Sequence, residues 1–227
     1  MPSSRYERAA RKAGYCAIAG VDEAGRGALF GPVFAAAVIL DPARPIRGLD
    51  DSKQLAPERR ETLACRIQER ASAWAIGAAD VFEIDRVNIL EAARLAMRRA
   101  VEALSPCDYL LVDAVKVYVP LPQKAVIHGD ALSFSIAAAS ILAKTARDRA
   151  LVAWDQVFPG YGLQNNKGYS TPDHIAALQR LGPTWLHRFS FEPVREYASA
   201  GGLNSGGAWN GYPQPRQPKQ AALFACP

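Results

Sequence analysis

The chain has little of the material from which zinc sites, disulfide scaffolds and membrane spans are built. Its four cysteines are far apart and form no C-x-x-C pair, so we expect neither a zinc site nor a disulfide scaffold, and a reducing cytoplasm as the compartment. No signal peptide opens the sequence, and no apolar run approaches the ~20 residues of a membrane-spanning helix. With three histidines, histidine-based metal or relay chemistry has few candidates.

The net charge of the chain excludes few classes of function. Lys and Arg outnumber Asp and Glu by 27 to 22, which gives a formal net charge of +5 at pH 7. A basic surface favours a polyanionic partner because binding releases counterions from the phosphate backbone. A surplus of this size also occurs in proteins that never bind nucleic acid, so both interpretations stay open.

Composition divides the 227 residues into three parts. Residues 1–14 form a short basic extension, and residues 15–197 have the apolar segments of one compact domain. Residues 198–227 are rich in Gly, Pro, Asn and Gln, and we expect a flexible tail because such a composition buries too little apolar surface to offset the entropy of ordering.

The order of apolar segments predicts an α/β domain. Alternating turn signals and apolar runs predict five strands, at residues 16–21, 33–40, 74–81, 109–112 and 124–127. Helical spacing and helix-forming residues predict helices after Pro57, after a cap at Asp85, over residues 135–149 and over residues 171–181.

Carboxylates stand at or just after the ends of three predicted strands. They are Asp22 with Glu23, Asp113 and Asp130. Strand ends that share one edge of an open sheet bring distant side chains together, and a cluster of oxygen ligands suits Mg²⁺ or Mn²⁺. Two such ions can activate water and stabilise the leaving oxygen in phosphodiester cleavage. For any single acid, a turn residue or helix cap is an equally good interpretation.

The segment GVDEAGRGALFGP superficially resembles a dinucleotide-binding turn, since Gly25, Gly27 and Gly31 follow a predicted strand. Its spacing is wrong, because Phe30 stands where the third glycine of that fingerprint falls. The segment also leads into a strand, whereas the fingerprint opens a helix. We therefore reject the dinucleotide interpretation.

Several long blocks of the sequence resemble the bacterial ribonuclease HII family, in family order over roughly residues 15–196. The resemblance rests on five blocks, GVDEAGRGALFGPVFAAAVIL, DDSKQLAPERRETL, VDAVKV, HGDALSFSIAAASILAKTARDR and FPGYGLQNNKGYSTPDHIAAL with HRFSFEPVR. It implies an RNase H-like fold, with a central mixed β-sheet flanked by helices and a C-terminal helical region. It also implies a monomeric endonuclease that cuts the RNA strand of RNA–DNA hybrids and nicks 5′ to single ribonucleotides in DNA, leaving 5′-phosphate and 3′-hydroxyl ends.

By this resemblance the four acids form one metal site. Asp22, Glu23 and Asp113 match the direct ligands and Asp130 completes the site, which would hold Mn²⁺ or Mg²⁺, two ions during catalysis.

The resemblance also implies which residues recognise the substrate. Gly25, Arg26 and Gly27 match the turn that reads the ribonucleotide, and glycines allow the close backbone approach that a ribose 2′-hydroxyl requires. Tyr169 matches a tyrosine that stacks on the neighbouring sugar. Lys53 and Lys167 are expected phosphate contacts. From the residues alone, Lys144 and Arg147 either face the duplex or extend along the surface.

Three residues depart from the family pattern. Ala28 replaces a proline of the turn, Ala114 follows the third acid where glycine is common, and Leu132 stands where many relatives have a polar residue. None removes an acid, so we expect activity to survive.

The tail residues QAALF, with Gln220, Leu223 and Phe224, resemble the short peptides that dock bacterial repair enzymes onto the sliding clamp. A chance apolar end is the competing interpretation.

Two other functions remain to be compared with the nuclease. A silent binder of hybrids predicts a missing acid, and none is missing. A nuclease for branched DNA does not explain the Gly-Arg-Gly turn and Tyr169. A type 3 ribonuclease H is disfavoured because nothing resembling its extra N-terminal domain precedes Tyr15.

Overall fold

The computed structural model describes residues 2–200, without the side chain of Ala200. Its strands are β1 (Ile18–Ala24), β2 (Val33–Ile39), β3 (Ala73–Ala79), β4 (Tyr109–Asp113) and β5 (Gln123–Val126). Its helices are α1 (Arg5–Lys12), α2 (Pro57–Arg70), α3 (Val81–Val87), α4 (Ile89–Glu102), α5 (Gly129–Leu132), α6 (Phe134–Val157), α7 (Leu163–Asn166), α8 (Pro172–Leu181) and α9 (Val194–Ala200). The α/β prediction is confirmed.

The five strands form one mixed sheet in the order β3-β2-β1-β4-β5. The first three strands along the chain pair antiparallel, so that β2 lies between β3 and β1. β4 then joins β1 in parallel and β5 joins β4 in parallel. The carboxyl ends of β1, β4 and β5 therefore share one edge of the sheet, which is where side chains from distant segments can meet.

Helices cover both faces of the sheet. On one face, α4 packs its small apolar side chains, with Met97 among them, against alternate residues of β1, β2 and β4. On the other face, Ile141 and Leu142 of α6 pack with Leu63 and Ile67 of α2 against β2. A third apolar cluster joins α7, α8 and α9 to the segment after β1. The predicted C-terminal helical region therefore packs against the segment that follows the carboxyl end of β1.

Gly20 explains how closely α6 approaches the sheet. A Cβ atom at this position would lie 2.0 Å from the backbone carbon of Ser135, at the start of α6. Only glycine at the centre of β1 leaves room for the helix backbone. The contact fixes the first turns of α6 beside the end of β1, where Asp22 lies.

The N-terminal extension is ordered as a helix that packs against the domain. Glu7 of α1 is buried, and its Oε1 accepts hydrogen bonds from the Ser133 hydroxyl (2.6 Å) and the Ser135 amide (2.8 Å). Sequence spacing could not reveal this contact, because its partners are more than 120 positions away. At the other end, α9 continues through the first three residues of the predicted tail.

The predicted helix cap at Asp85 is wrong. Asp85 lies inside α3, and its carboxylate accepts hydrogen bonds from the Phe189 and Ser190 amides at 3.0 Å. Asp80 caps α3, and Asn88 caps α4 by accepting from the Leu90 amide at 2.9 Å.

The described residues bear on two expectations from composition, those for the cysteines and for membrane-spanning helices. Cys16 and Cys107 are free thiols. No helix within residues 2–200 combines the length and the apolar character needed to cross a membrane.

Candidate active site

Adjacent parallel strands place the first three acids side by side. Val21 of β1 pairs with Val112 of β4, and each is followed directly by an acid, Asp22 in β1 and Asp113 in β4. Glu23 is the next residue of β1. The register of one strand pair therefore brings together acids that are about 90 positions apart in the sequence.

Asp22 is the most enclosed of the acids, with 5% of its surface exposed. Its Oδ1 accepts the Glu23 amide proton at 2.7 Å. Desolvation by burial and the charges of Glu23 and Asp113 raise its pKa well above the usual range, although a hydrogen bond from Ser140 of α6 opposes the rise. The fold thus holds a carboxylate where its charged form is disfavoured unless positive charge is nearby.

Asp113 and Asp130 are joined through the short turn before α5. The Gly129 amide donates to Asp113 Oδ1 at 2.7 Å, and Asp130 is the next residue. Burial raises the pKa of Asp113, and the neighbouring charge of Asp130 raises it further. Burial likewise raises the pKa of Glu23, with a contribution from Asp113. The four predicted acids therefore share one electrostatic environment.

Lys53 supplies positive charge to this group. Its Nζ lies 4.0 Å from Asp130 Oδ2. Desolvation lowers the pKa of the Lys53 ammonium, but Asp130, Asp51, Asp22 and Asp113 together outweigh that effect and raise it. The loop that contains Lys53 is anchored to α6, because the hydroxyls of Ser52 and Ser140 lie 2.9 Å apart.

The acids approach one another without forming a closed cage. Within the part of the chain that the structure describes, no three or more His, Cys, Asp or Glu side chains are grouped tightly enough to hold a metal ion. The chemistry of the donors nevertheless fits a hard divalent cation, since all four are carboxylates. The raised pKa values of Asp22, Glu23 and Asp113 fit it too, because burial and, secondarily, mutual repulsion disfavour the charged carboxylates and a bound cation would offset both effects.

The Gly-Arg-Gly turn follows these acids directly. The Arg26 Nη1 lies 3.3 Å from Glu23 Oε1, and both Arg26 and Gly27 are exposed. A Cβ at Gly27 would meet nothing within 4 Å, so protein packing does not require glycine there. The open space leaves the backbone of Gly27 accessible to a ligand.

Arg188 holds the other side of this turn, and sequence reasoning missed it. Its side chain is completely buried, and Nε donates to the Gly31 carbonyl at 2.9 Å while Nη1 donates to the Arg26 carbonyl at 2.8 Å. The sequence feature that could have indicated Arg188 is its position in the HRFSF block. Ser140 was missed as well, and the sequence feature that could have indicated it is a polar residue within the apolar stretch AAASILA.

Tyr169 is half-buried in a loop that is joined to the segment after the Gly-Arg-Gly turn. The Leu29 amide donates to the Gly168 carbonyl at 2.8 Å, which joins the two loops. The Tyr169 carbonyl is 2.9 Å from His174 Nδ1, and His174 Nε2 is 3.2 Å from His187 Nε2. The buried histidine pair therefore supports the backbone of Tyr169.

Lys144, one of the cations noted in the sequence, binds Asp148 together with Arg60, which the sequence analysis did not single out. Arg60 and Lys144 bind its carboxylate at 3.2 Å and 2.8 Å. Burial lowers the pKa of Lys167, and Lys144 and Arg60 nearby lower it further. Arg147 does not face a duplex or extend along the surface, because its side chain is completely buried.

The three residues that depart from the family pattern lie in different structural environments. Ala114 adopts a φ of 51°, a left-handed conformation in which glycine carries less strain. Leu132 is 43% exposed at the end of α5, whereas Ala28 is completely buried. The tail residues Gln220, Leu223 and Phe224 lie outside the described residues.

Comparisons with known proteins agree with this geometry. A family model described as Ribonuclease HII matches residues 19–194. The Ribonuclease HII of Solibacter usitatus is 62% identical over 193 residues, which cover 85% of this chain and 85% of that protein. The crystal structure of the ribonuclease H2 from Pyrococcus horikoshii aligns with a TM-score of 0.69 and 26% identity, covering 83% of this chain and 100% of that one. The RNase HII of Archaeoglobus fulgidus, solved in a complex with PCNA, aligns with a TM-score of 0.68 and 25% identity over 79% of this chain and 96% of that one.

Proposed function

The chain belongs to the ribonuclease HII family, and from this premise we propose that it nicks DNA 5′ to single embedded ribonucleotides as well as cutting the RNA strand of RNA–DNA hybrids. It is a ribonuclease H, a nuclease of the hydrolase class. One observation carries the finer proposal, namely that the Gly25–Gly27 turn, exposed at Arg26 and Gly27, adjoins the group of four acids through the contact between Arg26 and Glu23.

The acids are the proposed ligands of divalent metal. Asp22, Glu23 and Asp113 would bind it directly, and Asp130 would complete the site. When bound, two Mn²⁺ or Mg²⁺ ions supply an activated water and stabilise the leaving oxygen. The expected products are a 5′-phosphate and a 3′-hydroxyl.

Backbone contacts preorganise these carboxylates. The Glu23 amide orients Asp22, and the Gly129 amide orients Asp113. Their rigidity reduces the reorganisation needed at the moment of reaction. Lys53, 4.0 Å from Asp130, would neutralise the approaching phosphate backbone.

The Gly25–Gly27 turn is the proposed element that recognises the ribose. Gly25 has a φ of 96°, which favours glycine, and the space beside Gly27 is open. A ribose 2′-hydroxyl could therefore approach the backbone without meeting a side chain. Tyr169 would stack on the next sugar, and Lys167 would contact phosphate. In this proposal the 2′-hydroxyl is recognised and does not act as the nucleophile.

The decisive experiment uses a DNA duplex with one ribonucleotide, incubated with Mn²⁺ or Mg²⁺. We expect a single nick 5′ to the ribose and none in the all-DNA duplex. Asp113→Asn should bind the duplex but fail to cut it. Asp41→Asn is the matched control, since Asp41 follows β2, whose carboxyl end lies at the opposite edge of the sheet.

Other outcomes identify other functions. Binding without any cleavage by the wild type favours a silent binder of hybrids, and equal cleavage of all-DNA substrates favours a nuclease for branched DNA. Either result contradicts the proposal.

A partner is proposed for the tail. The Archaeoglobus fulgidus relative forms a complex with PCNA. The QAALF residues of this chain would bind the bacterial sliding clamp in a comparable way, with Leu223 and Phe224 as apolar anchors. Monomeric state and a cytoplasmic location stay predictions.

A further inference from the structure

Arg147 of α6 is buried without full hydrogen bonding. Its relative exposure is 0%, and Nη2 donates to the Phe30 carbonyl at 3.3 Å. Its Nε and Nη1 have no hydrogen-bond partner among the residues that the structure describes. Burying a guanidinium with unpaired donors is costly, so an apolar side chain of the same length would serve packing better.

Two glycines make room for this side chain. A Cβ at Gly25 would lie 2.1 Å from Arg147 Nε, and a Cβ at Gly168 would lie 3.4 Å from Nη2. Gly25 is the first residue of the Gly25–Gly27 turn, and Gly168 directly precedes Tyr169. Arg147 therefore lies between the two segments that the proposed function assigns to substrate recognition.

The guanidinium also contacts the ring of Tyr169. The Arg147 Cζ lies 5.1 Å from the ring centroid, within the range of a cation–π interaction. Lys144 Nζ lies 5.7 Å from the same centroid. Loss of the Arg147 charge would leave the ring free to change its tilt, while the Leu29–Gly168 hydrogen bond would still hold the loop backbone.

We infer that Arg147 is a positioning residue that holds the Gly25–Gly27 turn and the Tyr169 ring in one fixed relation, and that it thereby sets the preference for a single ribonucleotide followed by a deoxyribonucleotide. The inference rests on the proposed function. Its physical basis is that one planar cation packs against Gly25 of the turn, donates to the Phe30 carbonyl three residues beyond the turn, and attracts the face of the ring. An apolar side chain of similar length can neither donate to that carbonyl nor attract the ring as a cation does.

The first test compares substrates. Arg147→Met should lower the ratio of kcat/KM for a single-ribonucleotide duplex to that for a four-ribonucleotide stretch by at least about tenfold, mainly through KM for the former. Arg147→Lys should restore part of the ratio, because the ammonium keeps the attraction to the ring. Arg149→Met is the matched control on the same helix, where Arg149 pairs with Glu61, and should leave the ratio unchanged.

An unchanged ratio in folded Arg147→Met overturns the inference. If the wild type cuts neither substrate, the proposed function itself has failed, which is a different result. Circular dichroism and thermal melting establish whether each variant is folded before the ratio is measured.

A second test needs neither cleavage nor substitution of Arg147. Tyr169→Leu removes the ring, and we expect the amides of residues 25–27 to exchange hydrogen at least several-fold faster, because the guanidinium loses its second contact. Tyr118→Leu is the control, since Arg94 Cζ lies 5.1 Å from the Tyr118 ring in a similar stack far from the turn. Equal exchange at residues 25–27 in Tyr169→Leu and wild type overturns the inference even if Arg147→Met does not fold.

Discussion

The Nη1 of Arg188 donates to the carbonyl oxygen of Arg26 at 2.8 Å, across 162 positions of the sequence. The Nε of the same guanidinium donates to the Gly31 carbonyl at 2.9 Å. The C-terminal region thus holds the backbone of the turn at Arg26 and the backbone of the following segment at Gly31. The exposed side of Arg26 and Gly27 stays available to a substrate.

Replacement of Arg188 by lysine should loosen the turn. An ammonium cannot reproduce the two fixed donors of the guanidinium, so one carbonyl loses its partner. We expect the free energy of unfolding to fall by about 1–3 kcal/mol and kcat/KM on the single-ribonucleotide duplex to fall with it. Urea unfolding and cleavage assays measure the two effects.

Arg195→Lys is the control for this change. Arg195 is exposed and pairs with Glu192 nearby in sequence, so its replacement should change stability by less than about 0.5 kcal/mol. If Arg188→Lys is as stable and as active as this control, the turn does not depend on Arg188.

Divalent metal should stabilise the protein through its acids. Binding to the folded state alone raises the melting temperature by mass action, and Asp113→Asn should reduce the rise. Without metal, Asp22→Asn should be more stable than wild type near pH 7, because its uncharged amide avoids the cost of a buried ionised carboxylate. The reason is that burial, with the charges of Glu23 and Asp113, raises the pKa of Asp22 and so disfavours its ionised form.

Thermal melting in a chelating buffer and in added Mn²⁺ or Mg²⁺ measures both effects. Asp41→Asn again serves as the control. If neither metal raises the melting temperature of the wild type, the proposed metal site is contradicted.

The buried histidine pair should make the protein sensitive to acid. Burial, with the neighbouring His174, lowers the pKa of His187 to about 3, whereas the unfolded chain binds this proton near pH 6.5. The unfolded state therefore holds more protons between these values, and stability is lost as pH falls from about 6.5 towards 3. The slope contributed by one such histidine reaches about 1.4 kcal/mol per pH unit.

His187→Gln should reduce this slope, as measured by urea unfolding at a series of pH values. His128→Gln is the control because His128 is exposed. Equal slopes in wild type and His187→Gln would show that the histidine is not the source of the acid sensitivity.

The tail should bind the sliding clamp through two apolar side chains. The double variant Leu223→Ala, Phe224→Ala should lose binding to purified clamp at least about tenfold, while cleavage of a short duplex stays unchanged. The double variant Ala221→Ser, Ala222→Ser, at the intervening positions, is the control. Equal clamp binding by wild type and the Leu223, Phe224 variant would end the proposal for the tail.

Local signals determined most of the elements. The apolar run after Gly31-Pro32 predicted residues 33–40 as a strand, and β2 occupies Val33–Ile39. Pro57 predicted the start of α2, which it opens. These predictions succeeded because backbone restriction and apolar periodicity act over a few neighbouring residues.

Local signals failed where a distant partner decided the outcome. Asp85 resembles a helix cap in sequence, yet its carboxylate binds amides more than 100 positions away. Arg147 resembles a surface arginine on a helix, yet the fold buries it between Gly25 and Gly168. Spacing along the chain contains no information about such contacts.

The sequence by itself determined most of the elements and the family, and it indicated the four acids as candidates, because those depend on residue types and local order. Only the tertiary structure decided that β1 and β4 pair in the register that sets Asp22 beside Asp113, and that two buried arginines support the loop beside them. The physical reason is that burial and hydrogen bonding are properties of the folded neighbourhood, to which segments from both ends of the domain contribute.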